Sequence, residues 1–105
     1  MNDAKRRRLE KAGWRTGTVQ EFLGLTDEEA AFIEVKLLLT RRLKSRRREL
    51  RLTQHAVAKR IGSSQSRVAK MEAGDSSVSL DLLVLALFAL GDTPRTLGRL
   101  IARAA

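Results

Sequence analysis

The chain has 105 residues, enough for one domain and too few for a second core of useful size. With 43% hydrophobic and 31% charged residues it reads as globular rather than disordered, and the lack of cysteine excludes a disulfide framework and a thiolate metal site. The net charge of +9 is unevenly placed: residues 1–16 carry six basic against two acidic side chains, 17–33 none against four, 34–51 eight against two, 52–74 four against one, and 75–105 three of each. Positive charge therefore peaks between Lys36 and Lys70. That is the electrostatic footprint expected of a nucleic-acid binder, with simple solvation as the alternative.

In chain order, residues 4–12 are expected to form a short basic helix ended by Gly13, followed by the single tryptophan, Trp14, and a turn at Thr16-Gly17. No apolar signal core follows the basic start, and the longest apolar run, Leu82 to Leu90, is far below the ~20 residues of a membrane span. A soluble, cytoplasmic protein with no membrane partner is expected. Thr18 to Glu21 and Thr26 to Glu29 are both capping-box patterns, and the first opens a short helix stopped near Gly24. The second opens a long helix from about Asp27 to Leu50, with Asp27, Glu28 and Glu29 in the first turn, where the helix dipole favours anions.

Along that helix Phe32, Val35, Leu39, Leu43 and Leu50 mark one buried stripe, and Arg41, Lys44, Arg48 and Arg51 form a basic ridge beside it. Arg47 falls one turn after Leu43, nearly on the apolar face, and needs a partner if buried. Thr53 then caps a short helix to Ile61, with Gly62 just past its end, and a second short helix runs from about Gln65 to Ala73, stopped by Gly74. Ser79 caps a third helix reaching Leu90, and Thr93-Pro94 opens the last. No β pattern survives, so the fold class is all-α: about five helices in residues 27–105, preceded by an N-terminal helical extension over 1–26.

Helix 80–90 is apolar on nearly every side, more than a chain of this length is expected to enclose. Leu83, Leu87 and Phe88, with Leu97, Leu100 and Ile101 of the last helix, are therefore expected at a homodimer interface. The alternative is that the N-terminal helix covers this surface within one chain.

Two short helices joined at Gly62 form a helix-turn-helix pattern. Val57 and Ile61 point inward from the first, Ala58 lets the second cross closely, and Ser64 can cap the second. In the second, Val68, Met71 and Glu72 share the inward face. A rotation of about 100° per residue puts Ser66, Lys70 and Ala73 opposite, with Ala69 at the edge, Gln65 at the tip and Arg67 on the flank. That outward set suits a major groove: glutamine can pair bidentately with adenine, serine reads several base edges, and lysine favours guanine or phosphate. Thr53, Gln54 and the backbone N–H groups that open the first helix, with Arg67 and the ridge Arg41, Lys44, Arg48 and Arg51, are the candidate phosphate contacts.

The stretch LTQHAVAKRIGSSQSRVAKMEAG, Leu52 to Gly74, resembles the lambda-repressor-like, XRE-type helix-turn-helix family, and SSVSLDLLVLALFALG resembles its following helix. The resemblance covers about Leu43 to Gly91. It implies a phosphate-contacting role for Gln54, contacts to operator bases from Ser64, Gln65, Ser66, Ala69 and Lys70, and a buried ion pair between Arg47 and Glu72. It also implies a sequence-specific regulator of transcription, most simply a repressor, on a double-stranded operator. The leading segment GWRTGTVQEFLGLTDEEAAFIEVKL is similar to that of HigA-type antitoxins, which implies an RNA-cleaving toxin as partner; Trp14 and the basic start either dock such a partner or pack on the domain.

Other classes fare worse. His55 is the only histidine and has no carboxylate or cysteine cluster beside it. The GSSQS stretch lacks the second glycine of a nucleophile elbow and the lysine of a phosphate loop. No enzyme, metal or cofactor is expected. A stand-alone phage-repressor-like regulator and a protein-interaction module without specific DNA binding remain the alternatives.

Overall fold

The computed structural model describes residues 17–104, with side chains for 20–103. The basic stretch 4–12, Gly13 and Trp14 lie outside the described residues. Among those described there are six helices and no strand: α1 (Gly17–Leu23), α2 (Asp27–Glu49), α3 (Gln54–Ile61), α4 (Gln65–Ala73), α5 (Leu80–Ala89) and α6 (Pro94–Ala104). The chain divides into two compact units, Met1–Ile33 and Glu34–Ala105, with the division inside α2.

In the first unit α1 already includes Gly17 and Thr18, so Thr18 is a helical residue and not the cap. Thr26 does cap α2: its Oγ1 accepts from the Glu29 N–H at 3.1 Å, and Glu29 Oε1 accepts from the Thr26 N–H at 3.0 Å. The backbone hydrogen bond from Thr26, more than any other contact, holds the Glu29 carboxyl below its ordinary value. No side chain of residues 20–33 is buried. Phe32, expected in the buried stripe of the long helix, is 50% exposed, and Phe22, Leu23 and Ile33 are exposed as well.

The second unit holds the core. Leu39 and Leu43 of α2, Val57 and Ala58 of α3, Val68 and Met71 of α4, Val78, Leu83, Ala86, Leu87 and Leu90 around α5, and Leu97 of α6 form one cluster, with Val35 and Leu50 packed partly against it. This corrects the expected interface. Leu83 and Leu87 are 0% exposed and Leu97 6%, so a single chain already encloses them, and of the apolar side chains on α5 only Leu85 and Phe88 remain exposed among the larger ones. α2, α3, α4 and α6 each contribute side chains to this core, so the buried side of α5 is covered within one chain.

α2 ends without a glycine. The Leu52 N–H bonds Arg47 O at 3.0 Å and the Arg51 N–H bonds Arg48 O at 3.0 Å, the two hydrogen bonds of a Schellman cap, with Arg51 left-handed at φ 56°. Arg51 therefore does not continue the ridge of Arg41, Lys44 and Arg48, all of which are exposed on the helix itself.

A second anchor lies at the other end of the core. Arg42 donates from Nε and Nη2 to the two carboxylate oxygens of Asp92, at 2.9 and 2.8 Å, and Thr96 Oγ1 donates to the same carboxylate at 3.2 Å. One turn on, Arg46 Nε donates to Leu90 O at 2.9 Å, satisfying a carbonyl at the C-terminus of α5. Gly91, at φ 98°, leaves room for it: a Cβ there would sit 2.9 Å from Arg46 Nη2. Asp92 is buried and its side chain is 3% exposed.

Asp92→Ala is expected to lower stability by about 2–3 kcal/mol in chemical denaturation, since Arg42 loses its partner but is partly exposed and regains some water. The Arg42 hydrogen bonds, as the largest cause, hold the Asp92 carboxyl below the usual carboxylate value. The contribution is therefore complete above about pH 4 and lost as pH falls through the depressed value, so the stability gap between wild type and Asp92→Asn should close in acid; a constant gap would refute the pairing. Arg51→Gly should raise the melting temperature, with a gain of up to about 1 kcal/mol from relief of the left-handed backbone.

Candidate nucleic-acid interface

The helix-turn-helix is built from two caps and a turn. Thr53 Oγ1 accepts from the Ala56 N–H at 3.0 Å to start α3, and Ser64 Oγ accepts from the Arg67 N–H at 3.2 Å to start α4. Between them Gly62 takes φ 67°, and the Ser63 N–H reaches back to Ala58 O at 2.8 Å. This left-handed residue reverses the chain in two further steps, and the small Ala58, 2% exposed, sits beneath the crossing.

α4 has two distinct sides. Val68 and Met71 are fully buried, whereas Gln65, Ser66, Arg67, Lys70 and Ala73 are exposed and Ala69 is half-buried at the edge. Ser64 is exposed, but its hydroxyl oxygen serves as the cap and lies 3.2 Å from Ser66 Oγ.

Behind the exposed side runs a chain of hydrogen bonds. Arg47 donates from Nε to Glu72 Oε2 at 2.6 Å, from Nη2 to Glu72 Oε1 at 3.0 Å, and from Nη1 to Leu52 O at 3.0 Å. The side chains are 15% and 4% exposed, so this bidentate pair is largely withdrawn from water. The Glu72 hydrogen bonds, the largest cause, raise the Arg47 guanidinium above its ordinary value. Gln54 Nε2 donates to Glu72 Oε1 at 3.3 Å, and Gln54 Oε1 accepts from Gln65 Nε2 at 2.6 Å.

The chemistry of that relay is specific. Gln65 uses one amide N–H on Gln54, which leaves its second N–H and its carbonyl oxygen uncommitted among the described residues, the donor and acceptor that an adenine edge requires. Gln54 is half-buried, with its amide committed on both sides, so it orients Gln65 whatever else it touches. Arg41, Lys44, Arg48, Arg51, Thr53 and Arg67 are all exposed. His55, in the first turn of α3, is exposed too. Among the described residues no group of three metal-ligating side chains occurs, and no helix is long and apolar enough to cross a membrane.

The sequence profile of the Helix-turn-helix family, XRE type, matches residues 43–99, more than half of the chain. The chain belongs to this family. No curated protein and no solved structure shows a significant match. As an XRE-type helix-turn-helix protein it is a DNA-binding regulator, and the matched region runs from Leu43 in the core to Arg99 on α6.

Two side-chain links of the structure, one in the helix-turn-helix and one outside it, escaped the sequence. The Gln54–Gln65 hydrogen bond joins side chains eleven residues apart, and the order of residues alone leaves their rotamers open. The Arg42–Asp92 pair had a signal: an acid directly before the Thr93-Pro94 helix start, and arginines four apart flanking Leu43 on the side opposite Arg47.

Arg47→Ala should destabilise the helix-turn-helix by about 3 kcal/mol, because the nearly buried Glu72 side chain loses its bidentate partner. Replacing both partners by methionine should cost clearly less than the sum of the single replacements; additive losses in that double-mutant cycle would show that the two side chains act independently.

Proposed function

We propose that the protein is a cytoplasmic repressor that binds a twofold operator as a homodimer, inserts α4 into the major groove, and acts as the autoregulating antitoxin of a toxin–antitoxin pair. The observation that carries the DNA-reading part is the row Gln65, Ser66, Ala69 and Lys70, held outward on α4 while Gln54 orients Gln65 from behind. Gln65 and Ser66 meet base edges, Lys70 takes guanine or phosphate, Ala69 permits close approach, and Ser64 combines its capping role with a contact at the groove edge. Thr53, Gln54, Arg67, Arg41, Lys44, Arg48 and Arg51 supply phosphate contacts that set register without reading sequence.

The dimer reading rests on what the core leaves outside. Leu85, Phe88 and Ile101 are exposed at 65, 39 and 37%, and Leu100 is half-buried, so a twofold contact uses these in place of Leu83, Leu87 and Leu97. Such a dimer places two reading helices about one DNA turn apart. The toxin partner is supported by the likeness of the leading segment, Gly13 to Leu37, to that of HigA-type antitoxins.

Binding measured against the operator upstream of its own gene and against random duplex tests the reading helix. Gln65→Ala should reduce preference for the operator by about 1–3 kcal/mol, while Arg48→Ala should weaken both duplexes alike and lower the salt slope by about one. Equal losses on both duplexes from Gln65→Ala would sink the assignment of α4 as the reading element.

A further inference from the structure

We propose that α6 provides a second DNA contact, in which Arg95, Arg99 and Arg103 hold backbone phosphates of duplex DNA beyond the bases met by α4. The proposal rests on the DNA-binding reading but uses a different surface. The three arginines stand at four-residue intervals on one side of α6, and all are exposed. Among the described residues none of them has a hydrogen-bond or ion-pair partner.

This arrangement runs against what a solvated helix favours. α6 has no acidic residue at all, and Arg95 occupies its first turn, where the helix dipole disfavours a cation. α2, by contrast, has three acids in its first turn. Like charges four residues apart repel, and α6 contains two such pairs in succession. Gly98 borders the stripe in mid-helix, where glycine is the weakest helix former after proline. A Cβ at Gly98 would meet nothing within 4 Å, so packing does not demand the glycine. A bare backbone beside arginines is what close approach to a ligand requires.

Phosphate chemistry accounts for these features together. Guanidinium forks bind phosphate bidentately. Successive arginines are separated by about 6 Å of helix rise, close to the roughly 7 Å of duplex axis that two phosphate steps of one strand cover. An anionic membrane fits less well, because it would need the apolar side of α6, and Leu97 on that side is packed in the core at 6% exposure.

The test uses the full chain and a fluorescent duplex of random sequence, titrated over a range of salt. Arg95→Gln/Arg99→Gln/Arg103→Gln should lower the slope of log affinity against log salt by about 3, and Arg99→Gln alone by about 1, with helicity and melting kept or raised as the repulsion between the arginines is removed. Lysine at all three positions should restore the slope. Gly98→Gln should raise the melting temperature yet weaken duplex binding, a combination that a purely structural helix would not give. An unchanged slope in the triple glutamine variant would overturn the proposal. So would a loss confined to phosphatidylserine vesicles, or to self-association in sedimentation. If the wild-type chain bound no duplex at any salt, the DNA reading itself would fail, which is a different result.

Discussion

The Arg47–Glu72 ion pair is the constraint on which the placement of α4 and its exposed face depends. It joins the last turn of α2 to the last turn of α4, and the same guanidinium takes the Leu52 carbonyl just beyond α2. A guanidinium offers five donors in a rigid plane, and its three hydrogen bonds here run to Glu72 on α4 and to Leu52 within the α2–α3 connection. Glu72 in turn accepts from Gln54, the first residue of α3. One buried carboxylate thus fixes three helices relative to each other. An apolar contact at the same place would stabilise comparably but would tolerate sliding; a bidentate pair does not. Since a reading helix must present side chains to bases within a fraction of an ångström, positional definition is the property that the pair supplies.

The opposite flank of α2 repeats the device with different chemistry. Counting about 100° per residue, Arg47 lies some 40° to one side of Leu43, while Arg46 and Arg42 lie about 60° and 100° to the other. The buried stripe is thereby bracketed by arginines, one set gripping α4 and the other gripping the turn between α5 and α6 through Asp92 and the Leu90 carbonyl. Arginine suits this place because its stem packs along the core edge while its head reaches past it. Part of the basic charge between residues 34 and 51 is therefore internal scaffolding. Arg42, Arg46 and Arg47 are engaged, and Arg41, Lys44, Arg48 and Arg51 are those left facing solvent.

What could be read from the sequence follows the range of the forces involved. The caps at Thr26, Thr53, Ser64 and Ser79 and the turn at Gly62 depend on neighbours within four residues, and the helix-turn-helix follows from them. The two sides of α4 were legible from periodicity, since a nine-residue helix has only one way to bury Val68 and Met71 together. The fate of α5 was not. A helix apolar all round gives no phase, so the sequence cannot say how many neighbours will surround it, and Leu83 and Leu87 went to the core instead of the surface. Phe32 failed for a related reason. Its spacing matches the stripe, but periodicity assigns a face and says nothing about whether any side chain arrives to cover it.

The end of α2 shows stability and charge placement in competition. A glycine at position 51 would close the Schellman cap without steric cost, as Gly62 and Gly74 do for α3 and α4. The chain instead holds an arginine at φ 56°. A left-handed non-glycine residue costs about 1–2 kcal/mol, a noticeable fraction of a small domain's stability. Nothing inside the fold returns that cost through the side chain, since the Arg51 side chain is exposed and makes no hydrogen bond or ion pair among the described residues. The backbone there turns from α2 toward the capped start of α3, where free N–H groups already favour an anion. In the proposed DNA complex a cation at this corner would add charge beside a phosphate, on a backbone whose direction the Arg47 to Leu52 hydrogen bond has set.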